Sequence, residues 1–191
     1  MLKKYLLELQ TLLWLIAAMW AGYIASLHIP LSHLGIFPRQ QHGLFGILLA
    51  PFLHGNLAHI TTNTSGIVIF GFLYVAVKAK DTFKTCLWIT VFSGAATWLI
   101  GRPAYHIGAS GLVFGLYGYL IAHGWYSRKF VAFFVSIGLV VLYGGVLMGV
   151  LPTSSGISWE SHLFGFIGGF LLARGRNEKE YKKLYEVRKA R

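Results

Sequence analysis

The sequence predicts an all-α membrane protein, a polytopic bundle of six transmembrane helices with both termini in the cytoplasm. Three observations carry that prediction. Of the 191 residues, 55% are hydrophobic and 12% charged, and the mean hydropathy is +0.60, a balance suited to lipid rather than water as the surrounding solvent. Apolar windows recur along nearly the whole length, at 9–27, 57–77, 86–101, 110–126, 131–150 and 161–173, several of them close to the ~20 residues a helix needs to cross a bilayer. Finally, 15 of the 17 Lys and Arg residues fall in the segments that a six-span path leaves on one side.

Taken in order, Lys3 and Lys4 precede the first window. That window has no small-residue cleavage site and five more follow it, so it is expected to be a retained span and not a signal peptide. The connection 28–56 contains GLFGILLAPFLHG, which is too short and broken to span and suits an element lying in or dipping into the outer leaflet. Lys78, Lys80 and Lys84 follow the second window, and the third begins at Cys86, the sole cysteine. One cysteine excludes an internal disulfide and a cysteine-ligated metal or haem site. Arg128 and Lys129 follow the fourth window, and eight cations lie in the tail 174–191. The sixth window is short, but a Gly-rich helix packed in a bundle need not match the bilayer. Only Arg39 and Arg102 fall in the alternate loops, so the positive-inside rule orients the chain. The net charge of +11 then reflects orientation and anionic headgroups, making membrane lipid a partner and leaving no role for nucleic acid. The tail is expected to be a solvated or surface-lying helix. No linker separates a second domain, so residues 1–191 read as one membrane domain.

Polar groups within apolar windows are costly and face protein or a water-filled cavity, which makes each a functional candidate. They form three clusters. HGNLAHITTNTSG brings His54, His59 and Asn63 to the outer part of the second span, and His59 and Asn63, four apart, share a helix face. Ser110 begins the fourth span and His162 stands near the outer end of the sixth. With spans two, four and six all running inward, the three clusters lie at one level. Gly111, Gly115 and Gly118 of span four, and Gly165, Gly168 and Gly169 of span six, permit close helix approach, which would bring His162 to Ser110.

A serine hydroxyl is a weak nucleophile until a base takes its proton, and neutral imidazole is a common base. The only acid near the outer face, Glu160, is two residues from His162 and would point away on a helix, so a Ser110/His162 dyad without a carboxylate is expected. His59, Asn63 and the backbone N–H of Ser110 are the candidate oxyanion donors. Gly108 and Gly111 let the backbone turn sharply beside the serine.

With these residues in place, the chain resembles the rhomboid intramembrane serine proteases, in particular the bacterial GlpG type in its minimal six-helix form. GxSG is Gly108, Ala109, Ser110, Gly111; HxxxxHxxxN is His54, His59, Asn63; and the histidine followed by glycines is His162, Gly165, Gly169. The resemblance implies hydrolysis of a peptide bond in or near a substrate's transmembrane helix. Ser110 would attack, His162 would act as base and then acid, and His59, Asn63 and the Ser110 N–H would form the oxyanion hole, supported by His54. It implies transmembrane protein substrates, no metal or organic cofactor, and a bacterial inner-membrane location with the site toward the periplasmic or outer side. It further implies a cap over the site from LPTSSGISWE and substrate access beside span five, near Phe133, Phe134 and Leu142.

Three positions depart from the family pattern. Phe45 and Gly46 stand where Trp-Arg is frequent, so the first outer loop is expected to be anchored differently. Phe114 replaces the tyrosine that commonly stacks on the histidine, and Ser161 replaces the small residue before it. His28, His33, His42, His106 and His123 read as interfacial or structural, and the six tryptophans as lipid-facing or near span ends. Two other functions remain as alternatives: a catalytically inactive rhomboid-like binder of membrane clients, and a small transporter, although no mid-span charge or inverted repeat supports the latter. HExxH is absent, and His54 and His59 are poorly spaced for one metal.

Overall fold

The computed structural model describes residues 2–78, 81–152 and 156–189. Six long helices organise them: α1 Leu2–Ser26, α2 Leu57–Val77, α3 Thr82–Ile100, α4 Ser110–Tyr126, α5 Phe130–Tyr143 and α6 Trp159–Lys189. A π-helical stretch, Ile67–Gly71, interrupts α2 below Asn63, and α5 continues as a 3₁₀ stretch, Gly144–Val150. Lys80, within one inner cation group, and Thr153, Ser154 and Ser155 of the expected cap lie outside the described residues. So do residues 190–191 of the tail.

Among the described residues, four helices are long and apolar enough to cross a membrane: α1, α2, α3, and α5 with its 3₁₀ continuation. The fourth expected span, 110–126, has the expected bounds but a different environment. Every residue of α4 from Ser110 to Gly124 is buried, so the helix is apolar or small all round because protein encloses it on every side. It need not match the bilayer, since it meets little lipid.

The α4–α6 contact explains the glycines. A Cβ on Gly165 would lie 2.0 Å from the Gly111 carbonyl oxygen, and one on Gly169 would lie 1.8 Å from that of Gly115. The two parallel backbones therefore touch, and any side chain at these positions would separate them.

At the end of the bundle away from Ser110, the sixth helix continues past the expected span end at residue 173. It runs unbroken to Lys189, and the first turn of the supposed tail is packed inside the bundle. Asn177 is 5% exposed; its amide nitrogen donates to His123 Nδ1 at 3.2 Å and to the Ala173 carbonyl at 2.8 Å. The Arg176 guanidinium donates to the Tyr74 hydroxyl at 3.2 Å and to Thr85 Oγ1 at 2.7 Å, and those two hydroxyls are 2.7 Å apart. Polar groups can be buried here because they satisfy one another. Beside them, the Glu8 carboxylate accepts the Asp81 and Thr82 backbone N–H groups at 3.0 and 2.7 Å, capping the start of α3.

The connection from α1 to α2 folds into short turns at Leu31–Leu34, Gln41–Leu44, Gly46–Leu49 and Ala50–Phe52. Residues 39, 40 and 98, not 45–46, make its hydrogen bonds to the end of α3. The Arg39 guanidinium donates to the carbonyls of Leu99 and Gly101 at 3.2 and 2.9 Å, where α3 ends, and Trp98 Nε1 donates to the Gln40 carbonyl at 2.9 Å. Cations suit helix C-termini, whose last carbonyls lack partners. Phe45 turns outward at 74% exposure, while a Cβ on Gly46 would collide with the Gly35–Ile36 backbone at 2.2 Å. Trp98 is thus an anchor, and so is Trp20, whose Nε1 donates to Thr64 Oγ1 at 3.1 Å; neither is simply lipid-facing.

Candidate active site

The loop 101–109 delivers Ser110 to the N-terminus of α4, and Gly108 sets its path. Gly108 has φ of +108°, a region closed to most side chains, and its N–H donates to the Ala50 carbonyl at 2.8 Å. A Cβ there would meet His59 Nε2 at 2.4 Å and Asn63 Nδ2 at 3.1 Å. The glycine thus answers to backbone conformation and to space, and it seats two α2 side chains two residues from the serine.

Those side chains are ordered from below. Asn56 caps α2 by accepting the His59 backbone N–H on Oδ1 at 2.8 Å, the usual way to satisfy a first-turn donor. One turn on, Asn63 is 3% exposed and its Nδ2 lies 3.0 Å from His54 Nε2. An amide nitrogen can only donate, so His54 Nε2 accepts and its proton sits on Nδ1. Burial, with His59 beside it, pushes the His54 pKa down to about 4, which keeps the ring neutral at physiological pH. The His54 and His59 rings meet edge-on with centroids 5.0 Å apart. Fixing one Asn63 N–H on His54 leaves the second beside Gly108.

Across α4, His162 is 8% exposed and Ser110 9%. The His162 ring stacks on Phe114, centroids 4.1 Å apart and planes 9° from parallel. Phe114 is one turn beyond Ser110, on the same helix face, so His162 lies over the face that Ser110 begins. His162 Nδ1 donates to the Gly149 carbonyl at 2.9 Å, leaving Nε2 as the lone-pair nitrogen of the neutral ring. Among the described residues no hydrogen bond joins Ser110 Oγ to His162. Such bonds are often long in unliganded enzymes and tighten with substrate. Glu160 is turned away: its Oε1 accepts the Arg102 backbone N–H at 3.2 Å and lies 3.5 Å from Arg102 Nε. A backbone carbonyl, not a carboxylate, orients the histidine.

Sequence reasoning missed Gly149, because a carbonyl acceptor leaves no mark in residue identity. It also left His106 among the structural histidines, without partners. His106 is 3% exposed, lies 2.6 Å from Ser158 Oγ through Nδ1, and is held slightly acidic of its ordinary range by burial. Ser161 Oγ lies 2.7 Å from Ser158 Oγ and 3.2 Å from Thr97 Oγ1. The one available signal was Ser158 standing one helical turn before His162. Among the described residues no group of three His, Cys, Asp or Glu side chains is placed to hold a metal ion.

Residues 41–177 match the Rhomboid domain family. An uncharacterized protein of Mycobacterium tuberculosis is 40% identical over 151 residues, covering 73% of this chain and 62% of that protein. A Bacillus subtilis protein named as a candidate rhomboid protease is 27% identical over 180 residues, covering 88% of this chain and 85% of its own. An Arabidopsis thaliana RHOMBOID-like protein is 26% identical over 139 residues, covering 70% of this chain and 34% of its own. The chain thus spans about three fifths of the length of its mycobacterial relatives.

Proposed function

The chain belongs to the rhomboid family, and on that premise we propose that it is an intramembrane serine endopeptidase cutting transmembrane protein substrates. The observation that carries this reading is the seating of His162, stacked on Phe114 at 4.1 Å and tied through Nδ1 to Gly149, over the face of α4 that Ser110 begins. On it, Nε2 takes the Ser110 proton as Oγ attacks the scissile carbonyl. A tetrahedral oxyanion forms, and its collapse breaks the C–N bond as His162 returns the proton to the leaving amine. Water, deprotonated by His162, then cleaves the acyl-enzyme and regenerates Ser110. The Asn63 amide, His59 and the Ser110 N–H receive the oxyanion, with His54 holding Asn63 in register.

The same reading takes all six helices as crossings, with both termini in the cytoplasm and the site opening toward the periplasmic or outer side of a bacterial inner membrane. The one-sided cations support that orientation. Substrates are helices with small residues at the cut and helix-breaking residues nearby, since attack needs an extended backbone. They approach beside α5, where Phe134 and Leu142 are 54% and 77% exposed. The chemistry calls for no metal or organic cofactor. One observation favours a client binder that does not cut: the missing Ser110–His162 hydrogen bond.

Cleavage of a reporter transmembrane helix by the purified protein in liposomes separates the two. The parent should cut, and Ser110→Ala and His162→Ala should each lose about 10³-fold or more in kcat. Equal cleavage by parent and both variants would overturn the dyad; no cleavage by the parent would favour the binder.

A further inference from the structure

Resting on that reading, we propose that His106 and Ser158 are positioning residues for the His162 base, holding the first turn of α6 in register with the loop that delivers Ser110. The need for such a device follows from the α4–α6 contact. Glycine faces let the backbones touch at Gly111 and Gly165, where no side chains interlock, and the Phe114–His162 stack alone, among the described residues, joins them by rings at this level. Nucleophile and base sit on these two helices, and a misplacement of about 1 Å can cost a hundredfold in rate.

The loop side of the clasp is rigid. His106 pairs with Ile36 through both backbone groups, at 3.0 and 2.8 Å, and its ring is buried. Its Nε2 lies 3.1 Å from the Arg102 carbonyl, which can only accept, so the proton is on Nε2 and Nδ1 faces the Ser158 hydroxyl at 2.6 Å as an acceptor, in competition with Ser161 Oγ at 2.7 Å for its one proton. On the helix side, the Ser158 carbonyl accepts the His162 backbone N–H at 3.3 Å. Ser158 is therefore bonded to the catalytic turn through its carbonyl and to the Ser110 loop through its hydroxyl. Ser161 and Thr97 extend the run of hydroxyls to α3. A second tie lies alongside: Arg102 bonds Glu160 and donates to the Ile157 carbonyl. Residues 102–106 are thus fastened to 157–161 on both flanks, while neither His106 nor Ser158 touches the Ser110 hydroxyl.

The test measures kcat and KM for the reporter helix with the full chain in liposomes. His106→Phe keeps a ring without the bond, Ser158→Ala removes the hydroxyl, and His106→Asn places an amide where the Nδ1 edge was. His106→Phe and Ser158→Ala should each lower kcat about tenfold or more with KM within about twofold. The double variant should lose far less than the product of the single losses, because each single variant already removes the bond the two residues share, and His106→Asn should recover most of the loss. Parental kcat in His106→Phe, losses that multiply in the double variant, or His106→Asn no faster than His106→Phe would overturn the proposal. Ser110→Ala runs in parallel. If it still cuts, the protease reading fails and the positioning role falls with it; if it is dead while His106→Phe cuts at the parental rate, only the positioning role fails.

Discussion

The two ends of the bundle bury similar polar chemistry and treat it differently. At the Arg176 end, Arg176, Tyr74, Thr85 and Asn177 spend their hydrogen bonds on one another and on His123. At the Ser110 end, the supporting groups are tied down, His54 to Asn63 and His162 Nδ1 to Gly149. Beyond these ties stand atoms with capacity left over: the Ser110 hydroxyl, the second Asn63 N–H and the lone pair of His162 Nε2. Buried polar groups that satisfy each other stabilise a fold, whereas those held in place with a free valence can act on something that arrives. The difference lies in which groups keep spare capacity: at the Arg176 end these are Thr82 Oγ1 and the Tyr119 hydroxyl, buried without a hydrogen-bond partner among the described residues, and at the Ser110 end they are the groups around the serine.

Substitutions at the two ends should therefore have crossed effects. At the Ser110 end, Asn63→Ala is expected to lower kcat by about 10²–10³-fold, the size of a lost oxyanion donor, with a stability loss of about 1–3 kcal/mol from the unpaired His54 Nε2 that leaves the chain folded. At the Arg176 end, Arg176→Met is expected to cost about 1–3 kcal/mol of stability, the scale of a broken buried hydrogen-bond pair, while kcat stays within about twofold. A stable but normally active Asn63→Ala, or an Arg176→Met that folds normally and fails to cut, would erase the distinction.

The smallest effect concerns pH. His54 has a folded pKa of about 4 against an ordinary 6.5, so between those values the unfolded chain binds the extra proton. Stability is full above about pH 6.5 and falls as pH drops toward 4. His106 is displaced in the same direction. Thermal midpoints measured across this window should decline with acid, and His54→Asn should flatten the decline in part. A profile unchanged by that substitution would show that His54 is not held neutral by the fold.

Much of this was legible in the chain, for identifiable reasons. His59 and Asn63 could be read together because residues four apart share one helix face, whereas His54 stands before the Asn56 cap of α2. The end of α6 could not be read. Arg176 and Asn177 look like the start of a solvated tail, and their partners Tyr74, Thr85 and His123 lie 54 to 102 residues away. The burial of α4 on all sides was equally hidden, since hydropathy cannot tell lipid from protein. At the site, Phe114 beside His162 was suggested by the family resemblance, whereas the Gly149 carbonyl and the His106–Ser158 bond depend on loops whose paths no periodicity encodes.

The most direct measurement of the central claim is covalent capture of the nucleophile. The full chain in liposomes is treated with a fluorophosphonate and the adduct is located by mass spectrometry. A single adduct on Ser110 is expected, absent in Ser110→Ala and formed about a hundredfold more slowly in His162→Ala, the scale of a lost general base. An adduct on another residue, or one that forms on Ser110 at the same rate without His162, would contradict the dyad.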